Sequence, residues 1–443
     1  ALDIWAEGVR FPAVKVWDRG KERRDVVYLL QTNNRTPTFI GDIRAQIGAA
    51  QLGARRLKEI IARHGAPAVR GAVDFGIAYA ARRFREEVVG WRDGSYESDV
   101  YVDHDPKGNL EIHVHCKVTV AGGRLTVDFT GSDTRPELQA WSTFGNTRGY
   151  VVSQLASMMD PAIPKNEGFF DAIELIVPEG CCLNPTPGRS VAAGTHHPGV
   201  EVGEAIALAL AQVIPERACP QIYKAGMPAI LYGLHPETKK IFVDHSVDST
   251  AAYCGAVHGQ DGWGSANAAF GNLIKATAEI NESIFPTRHE HLDYNPDTGG
   301  PGKWRGCPGS RYVKRLTAPA SLFTYQVGMK YPMPGVAGGR NGSPNRFTLR
   351  AGQSDAELVT HTANMVPLKA GEAFEYAFGG GGGWGDPLER DPQRVCEDVL
   401  DEYVTPEGAR RDYGVVLRGS LEALDLAVDS EATRRLRETL RSS

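Results

Sequence analysis

No apolar run in these 443 residues approaches the roughly 20 needed to span a bilayer as a helix, so the sequence offers no membrane segment. Its opening, Ala1 to Glu7, lacks the basic and apolar regions of a secretory leader, and the expected compartment is the cytoplasm. Basic runs are missing too. The 49 Lys and Arg stand against 54 Asp and Glu, and a net charge of −5 with the signs mixed argues against a nucleic-acid partner. The seven cysteines (Cys116, Cys181, Cys182, Cys219, Cys254, Cys307 and Cys396) are odd in number and include no CxxC pair. That suits neither a secreted disulfide framework nor a structural zinc site, and reads as buried reduced thiols. No Gly-Lys-[Ser/Thr] loop and no strand-GxGxxG-helix unit occurs, so the usual nucleotide sites are missing. Without a Ser nucleophile elbow or a Cys-His acyl-transfer motif, familiar hydrolase chemistry is not supported within this chain alone. Disorder is excluded by 42% hydrophobic and 23% charged residues, and the length suits two or three domains.

What is present reads as an α+β chain. Ile43, Ile47, Ala50, Ala54, Leu57 and Ile61 recur by threes and fours, predicting a helix over 41–65 that packs one stripe inward. Strict alternation over 110–118, a Gly122-Gly123 turn and a second alternating run over 124–129 predict a β-hairpin with one apolar face and His113 and His115 on the other. A second helix is expected over 201–213, where Val202, Ile206, Leu210 and Val213 form the stripe and Pro215 stops it. From about 218 to 378 short β-like runs alternate with Gly, Pro and Asn, with only a few helical residues near Phe270 to Ile280. Beyond that, Asp391-Pro392 and Thr405-Pro406 are N-cap plus proline starts, and Asp429-Ser430-Glu431 opens a last charged helix.

Several clusters carry chemistry. His196-His197-Pro198-Gly199 enters a helix bearing Glu201 and Glu204. A positive helix N-terminus disfavours imidazolium and leaves a neutral ring able to take a proton or bind a metal, with Glu201 to orient it. Arg305, among the glycines of 297–306, is a candidate carboxylate or phosphate clamp, with an architectural role as the competing reading. His113 and His115 share a strand face with Glu111 at a workable metal spacing, and His245, Asp248, His258, His289 and His291 make the centre His-rich, yet conventional zinc spacing is absent. The run 379–383, closed by Trp384, suits either an anion-binding nest or a close-packed crossing where only Gly fits.

That run together with Trp384-Gly385-Asp386-Pro387 resembles the C-terminal signature of the hydantoinase B/oxoprolinase family. Further blocks lie in the family order: 7–15 (Glu7-Gly-Val-Arg), 34–47 (Asn34-Arg-Thr-Pro37, then Gly41-Asp-Ile-Arg), Asp128-Phe-Thr-Gly-Ser132, 178–185 and 297–306. The resemblance implies a B-type subunit of an ATP-dependent hetero-oligomer, with ATP and Mg²⁺ bound by an actin-like A-type partner that phosphorylates a carbonyl or amide oxygen. Members usually carry over a hundred residues before the Glu7 block, including a His- and Asp-containing segment associated with the active site, so that region is expected to be omitted or supplied by another polypeptide. The expected architecture is a mixed multi-layer fold with an α/β core over 1–215, a β-rich region over 216–387 and a helical subdomain over 388–443.

Two chemistries use such machinery. Ketone carboxylases join a phosphorylated enol to carbon from bicarbonate, whereas hydantoinases and oxoprolinases let water attack an O-phosphorylated lactam. Hydantoin-cleaving members typically show an Asn-containing block with Ser and Gln near 196. The paired histidines depart from it and favour an acetophenone-like ketone, with Phe169, Phe170, Tyr223 and Trp263 as aromatic pocket wall. On this reading His196 and His197 act as base or metal ligands for zinc or manganese, Glu201 orients them and Arg305 clamps the anion. Lactam hydrolysis and a noncatalytic scaffold are the alternatives.

Overall fold

The computed structural model describes residues 3–34, 39–108, 111–220, 224–246, 254–264 and 276–442. Tyr223, Asp248, Phe270 and Pro37 fall outside them. The fold is mixed α/β, with three principal sheets and helices at both ends of the chain.

The predicted hairpin forms as Ile112–Ala121 and Arg124–Asp128. Gly94–Val102 pairs antiparallel on one side of it and Ile173–Ile176 parallel on the other, giving a four-stranded sheet. Ile112, Val114, Cys116, Val118 and Val120 are buried on one face. Against this sheet and the helix Phe144–Met158 lies Gly199–Leu210, the second predicted helix. It is apolar all round apart from two glutamates, as burial on every side requires. Ser98 Oγ fixes it to the sheet by donating to the Ala205 carbonyl at 2.7 Å.

The β-rich region supplies two antiparallel sheets. One orders Glu357–Val359, Arg346–Leu349, Ala373–Ala377, Ser310–Leu316 and Thr287–Tyr294; the other orders Thr362–Leu368, Ala320–Tyr325, Met227–Leu234 and Ile241–Asp244. Their apolar faces join the first sheet in one core, so Val114, Leu210, Tyr325 and Phe374 belong to a single cluster. The C-terminal helices Pro392–Leu400, Pro406–Tyr413 and Ser430–Ser442 accompany a separate small core of Val395, Val399, Val404, Ala409, Tyr413 and Val415. Asp391 and Thr405 cap the first two as their sequence chemistry indicates, accepting from Gln393 and Gly408 amides at 2.9 Å.

One expectation changes. The helix Phe39–His64 forms where the periodicity places it, but it buries no residue: Leu52, Leu57 and Ile60 are 45%, 51% and 47% exposed. Periodicity reports which face is apolar, not whether anything covers it. The glycine run, for its part, is a backbone crossing. A Cβ on Gly382 would stand 1.9 Å from the Pro334 carbonyl oxygen, and one on Gly306 would stand 2.0 Å from that of Gly381. The amides of Gly379, Gly380, Gly381 and Gly383 donate to Asn345, Thr298, Cys307 and Arg340. Those donors are spent inside the fold, so the run does not fit a phosphate cradle.

Candidate functional site

Burying a carboxylate without a partner is costly, so the two glutamates of Gly199–Leu210 dictate their surroundings. Glu201 and His197 are both fully buried, and His197 Nδ1 lies 2.9 and 3.1 Å from the two Glu201 oxygens. One turn on, Glu204 receives Lys224 Nζ at 2.6 Å. Burial raises the Glu204 carboxyl above its ordinary range even with the ammonium beside it.

The pairing fixes the imidazole tautomer. A carboxylate only accepts, so Nδ1 carries the proton and Nε2 presents a bare lone pair in the neutral ring. That Nε2 is buried and has no hydrogen-bond partner among the described residues. Four contacts hold the loop in this pose. The amides of His196 and His197 both donate to the Ala193 carbonyl at 2.9 Å, Asn146 Nδ2 donates to the Gly194 carbonyl at 2.9 Å, and the Tyr150 hydroxyl donates to the Thr195 carbonyl. Gly199 is required here, because a Cβ would meet the Gly194 oxygen at 2.1 Å.

Next to the dyad lies Tyr325, at the end of strand Ala320–Tyr325, with its ring edge-on to His197 at 6.2 Å between centroids. Burial, with the charge of Glu201, pushes its hydroxyl well above the ordinary tyrosine range. Tyr325 also lines a cavity of about 350 Å³, together with Pro106, Gln139, Ser190, Met227, Tyr232 and Asn364, among others. Glu7 braces its rim, accepting from Ser190 Oγ at 2.5 Å and from the Ala192 amide at 2.8 Å. A larger cavity, about 690 Å³, is lined by Arg83, Glu87, Asp160 and Arg217, which are already ion-paired with one another. The smaller one is the better candidate, since it combines apolar walls with a few polar groups beside an unsatisfied base.

Of the residues singled out in the sequence, His196, His197 and Glu201 come together. Burial and neighbouring His197 lower His196 to about 4. This ring is therefore neutral in the folded chain while its unfolded counterpart, with an ordinary value of 6.5, takes up a proton below that pH. Its contribution to stability is present above pH 6.5 and is lost as pH falls toward 4. Thermal unfolding measured from pH 7 to 5 is expected to show a falling midpoint, with a shallower slope in His196→Gln.

Arg305 is engaged elsewhere. Its guanidinium donates to Asp398 Oδ1 at 3.1 Å and to the Gly306 carbonyl at 2.8 Å, and it stacks on Tyr403 at 4.8 Å. Arg390 shares Asp398 and also grips Asp261, so this buried network ties the C-terminal helices to the glycine crossing. Among the described residues the aromatic wall does not assemble: Phe169 is core, edge-on to Phe84 at 5.0 Å, and Trp263 is 71% exposed. His113 and His115 both face Asp99 Oδ1, at 2.6 and 3.0 Å, on the outer face of the first sheet. Among the described residues no group of three or more His, Cys, Asp or Glu side chains has the geometry to hold a metal ion, so zinc or manganese finds no fit there. Likewise, no described helix is long and apolar enough to cross a membrane.

His104, Tyr325, Lys224 and Tyr150 also belong to this environment and were not singled out in the sequence. His104 sits in the run Asp103-His104-Asp105-Pro106 directly after a strand, and that polar density at a strand end was the available signal.

A family model described as hydantoinase B/oxoprolinase matches residues 1–387. The putative B-type subunit of a D-/L-hydantoinase of Pseudomonas sp. (strain NS671) is 30% identical over 455 residues, covering 99% of this chain and 74% of the relative. The acetophenone carboxylase delta subunit of Aromatoleum aromaticum is 25% identical over 488 residues, covering 99% and 69%. The crystal structure of the ATP-dependent caprolactamase from Pseudomonas jessenii matches with a TM-score of 0.84 at 28% identity, covering 98% of this chain and 76% of that one. With sequence blocks, fold and these likenesses in agreement, the chain belongs to the hydantoinase B/oxoprolinase family.

Proposed function

We propose that this protein opens an activated cyclic amide by hydrolysis, in a complex whose A-type partner binds ATP with Mg²⁺ and phosphorylates the amide oxygen. The observation that carries this reading is the buried His197–Glu201 pair with a bare Nε2. A base of that kind is what water attack needs. Glu201 holds the Nδ1 proton and the ring plane, Nε2 takes a proton from water, and Glu201 then balances the imidazolium.

Carboxylation makes another demand, a cation or donor array for the developing carboxylate. Arg305 and Lys224, two buried cations, are held by Asp398 and Glu204. The names of two similar proteins, a hydantoinase and a caprolactamase, point the same way. Ketone carboxylation is the second reading, favoured by the paired His196–His197 block and by the likeness to the acetophenone carboxylase delta chain.

The test is steady-state ADP formation by the complex assembled from the complete subunits, with hydantoin, 5-oxoproline, caprolactam and acetophenone each added in turn. Stimulation by one of the cyclic amides, with matching ring-opened product, is the expected result. Stimulation by the ketone alone would overturn the proposal.

A further inference from the structure

His104 is 8% exposed, and its Nδ1 lies 2.8 Å from the Asp105 carbonyl oxygen. A carbonyl only accepts, so here too Nδ1 carries the proton and Nε2 is a bare lone pair. This second Nε2 is likewise buried without a hydrogen-bond partner among the described residues. Leaving a buried acceptor unsatisfied is costly, yet the fold does so twice around one ring. Tyr325 stands edge-on to His104 at 5.5 Å and to His197 at 6.2 Å, and its hydroxyl donates to the His104 carbonyl at 2.5 Å.

The segment bearing His104 is held from several directions. Asp103 accepts the amides of Met329 at 2.7 Å and Lys330 at 3.0 Å, Asp105 accepts that of Gln139 at 3.2 Å, and Thr362 Oγ1 donates to the Pro106 carbonyl at 2.6 Å. Pro106 and Gln139 line the 350 Å³ cavity together with Tyr325. His104 is thus a rigidly placed, buried acceptor beside the candidate site, separate from the His197–Glu201 pair.

We infer that His104 is a second proton-handling residue, whose Nε2 receives the ring N–H of the cyclic amide. The inference rests on the hydrolytic reading above. As the amide oxygen bonds to the phosphorus of the nucleoside triphosphate and ADP leaves, a C=N bond forms and the ring N–H proton passes to His104 Nε2. Water then gives one proton to His197 Nε2 and its oxygen to the ring carbon, while the C=N electrons return to nitrogen, which recovers its proton from His104. Cleavage of the C–N bond places those electrons on nitrogen, where the proton held by His197 completes the amine, while the hydroxyl on carbon gives its proton to the emptied His197 Nε2, and so to solvent, as its O–H electrons close the acyl C=O. The other end of the opened chain is an acyl phosphate, which a second water converts to carboxylate and phosphate. His104 serves activation and His197 serves ring opening.

The test uses the complex assembled from the complete subunits, with two readouts: amide-dependent ADP formation, and ring-opened product. His104→Gln is expected to lower ADP formation on the order of 100-fold. His197→Gln is expected to retain ADP formation in the first turnover while losing ring opening. If His104→Gln fails to fold by circular dichroism, the wild-type complex decides the matter with each amide and its N-methyl counterpart, which has no N–H to give. A drop in ADP formation of about 100-fold or more with the N-methyl compound supports the inference, and equal rates overturn it. If wild type opens the ring and folded His104→Gln forms ADP at the wild-type rate, the assignment of His104 is wrong while the hydrolytic reading stands. If wild type opens none of the amides, that reading falls and this inference with it.

Discussion

Replacing His197 by Gln is expected to reduce ring opening by about 100- to 10,000-fold, the range general-base removal usually costs. Gln is the informative choice because its amide retains a donor for Glu201. Alanine instead leaves that fully buried carboxylate alone, at about 3–5 kcal/mol of stability, and mixes a folding defect with a catalytic one. Glu201→Gln keeps the hydrogen bond and removes only the charge that balances imidazolium, so a smaller loss, of at least about 10-fold, is expected. Single-turnover product formation, with thermal unfolding measured in parallel, separates the two effects. Unchanged turnover in folded His197→Gln would remove this residue from the chemistry.

The second large effect concerns Gly382. Its α-carbon faces the Pro334 peptide, so an Ala Cβ would fall 1.9 Å from the carbonyl oxygen and 2.4 Å from the carbonyl carbon. Relief would have to come from backbone on both sides. The Gly382 carbonyl accepts from the Ala256 amide at 2.8 Å, and Val336 donates to the Gly383 carbonyl at 2.9 Å. Gly382→Ala is therefore expected to cost more than about 4 kcal/mol and to yield insoluble or unfolded protein. Gly48, inside the helix Phe39–His64 with nothing within 4 Å of its would-be Cβ, gives the contrast. Gly48→Ala should stabilise that helix by roughly 0.5–1 kcal/mol. Thermal unfolding of the pair tests whether the run is a packing device, because a flexible loop would tolerate both changes alike.

What the sequence made legible was local. The hairpin, the helix entered at His196 and the Asp391 and Thr405 caps follow from alternation, periodicity and side chain-to-backbone bonding over a few residues. The same is true of the His197–Glu201 pair, four positions apart across a helix entry. Tyr325 and His104 meet over 221 residues of chain, and no local pattern announces such a meeting. The glycine run was ambiguous for a related reason. Amides that cradle an anion and amides that bond to neighbouring backbone look alike in one dimension, and only the partners at Thr298, Cys307 and Arg340 distinguish them. Arg305 shows the converse: a guanidinium suited to clamp a ligand is held by Asp398, 93 residues away.

The most direct test of the hydrolytic reading supplies the assembled complex with ATP, Mg²⁺ and isotopically labelled bicarbonate. Acid-stable label and ring-opened product are then quantified for cyclic amides and for ketones in parallel. The account predicts ring opening of a cyclic amide with no label fixed. Ketone-dependent fixation of label without ring opening of any amide would contradict it.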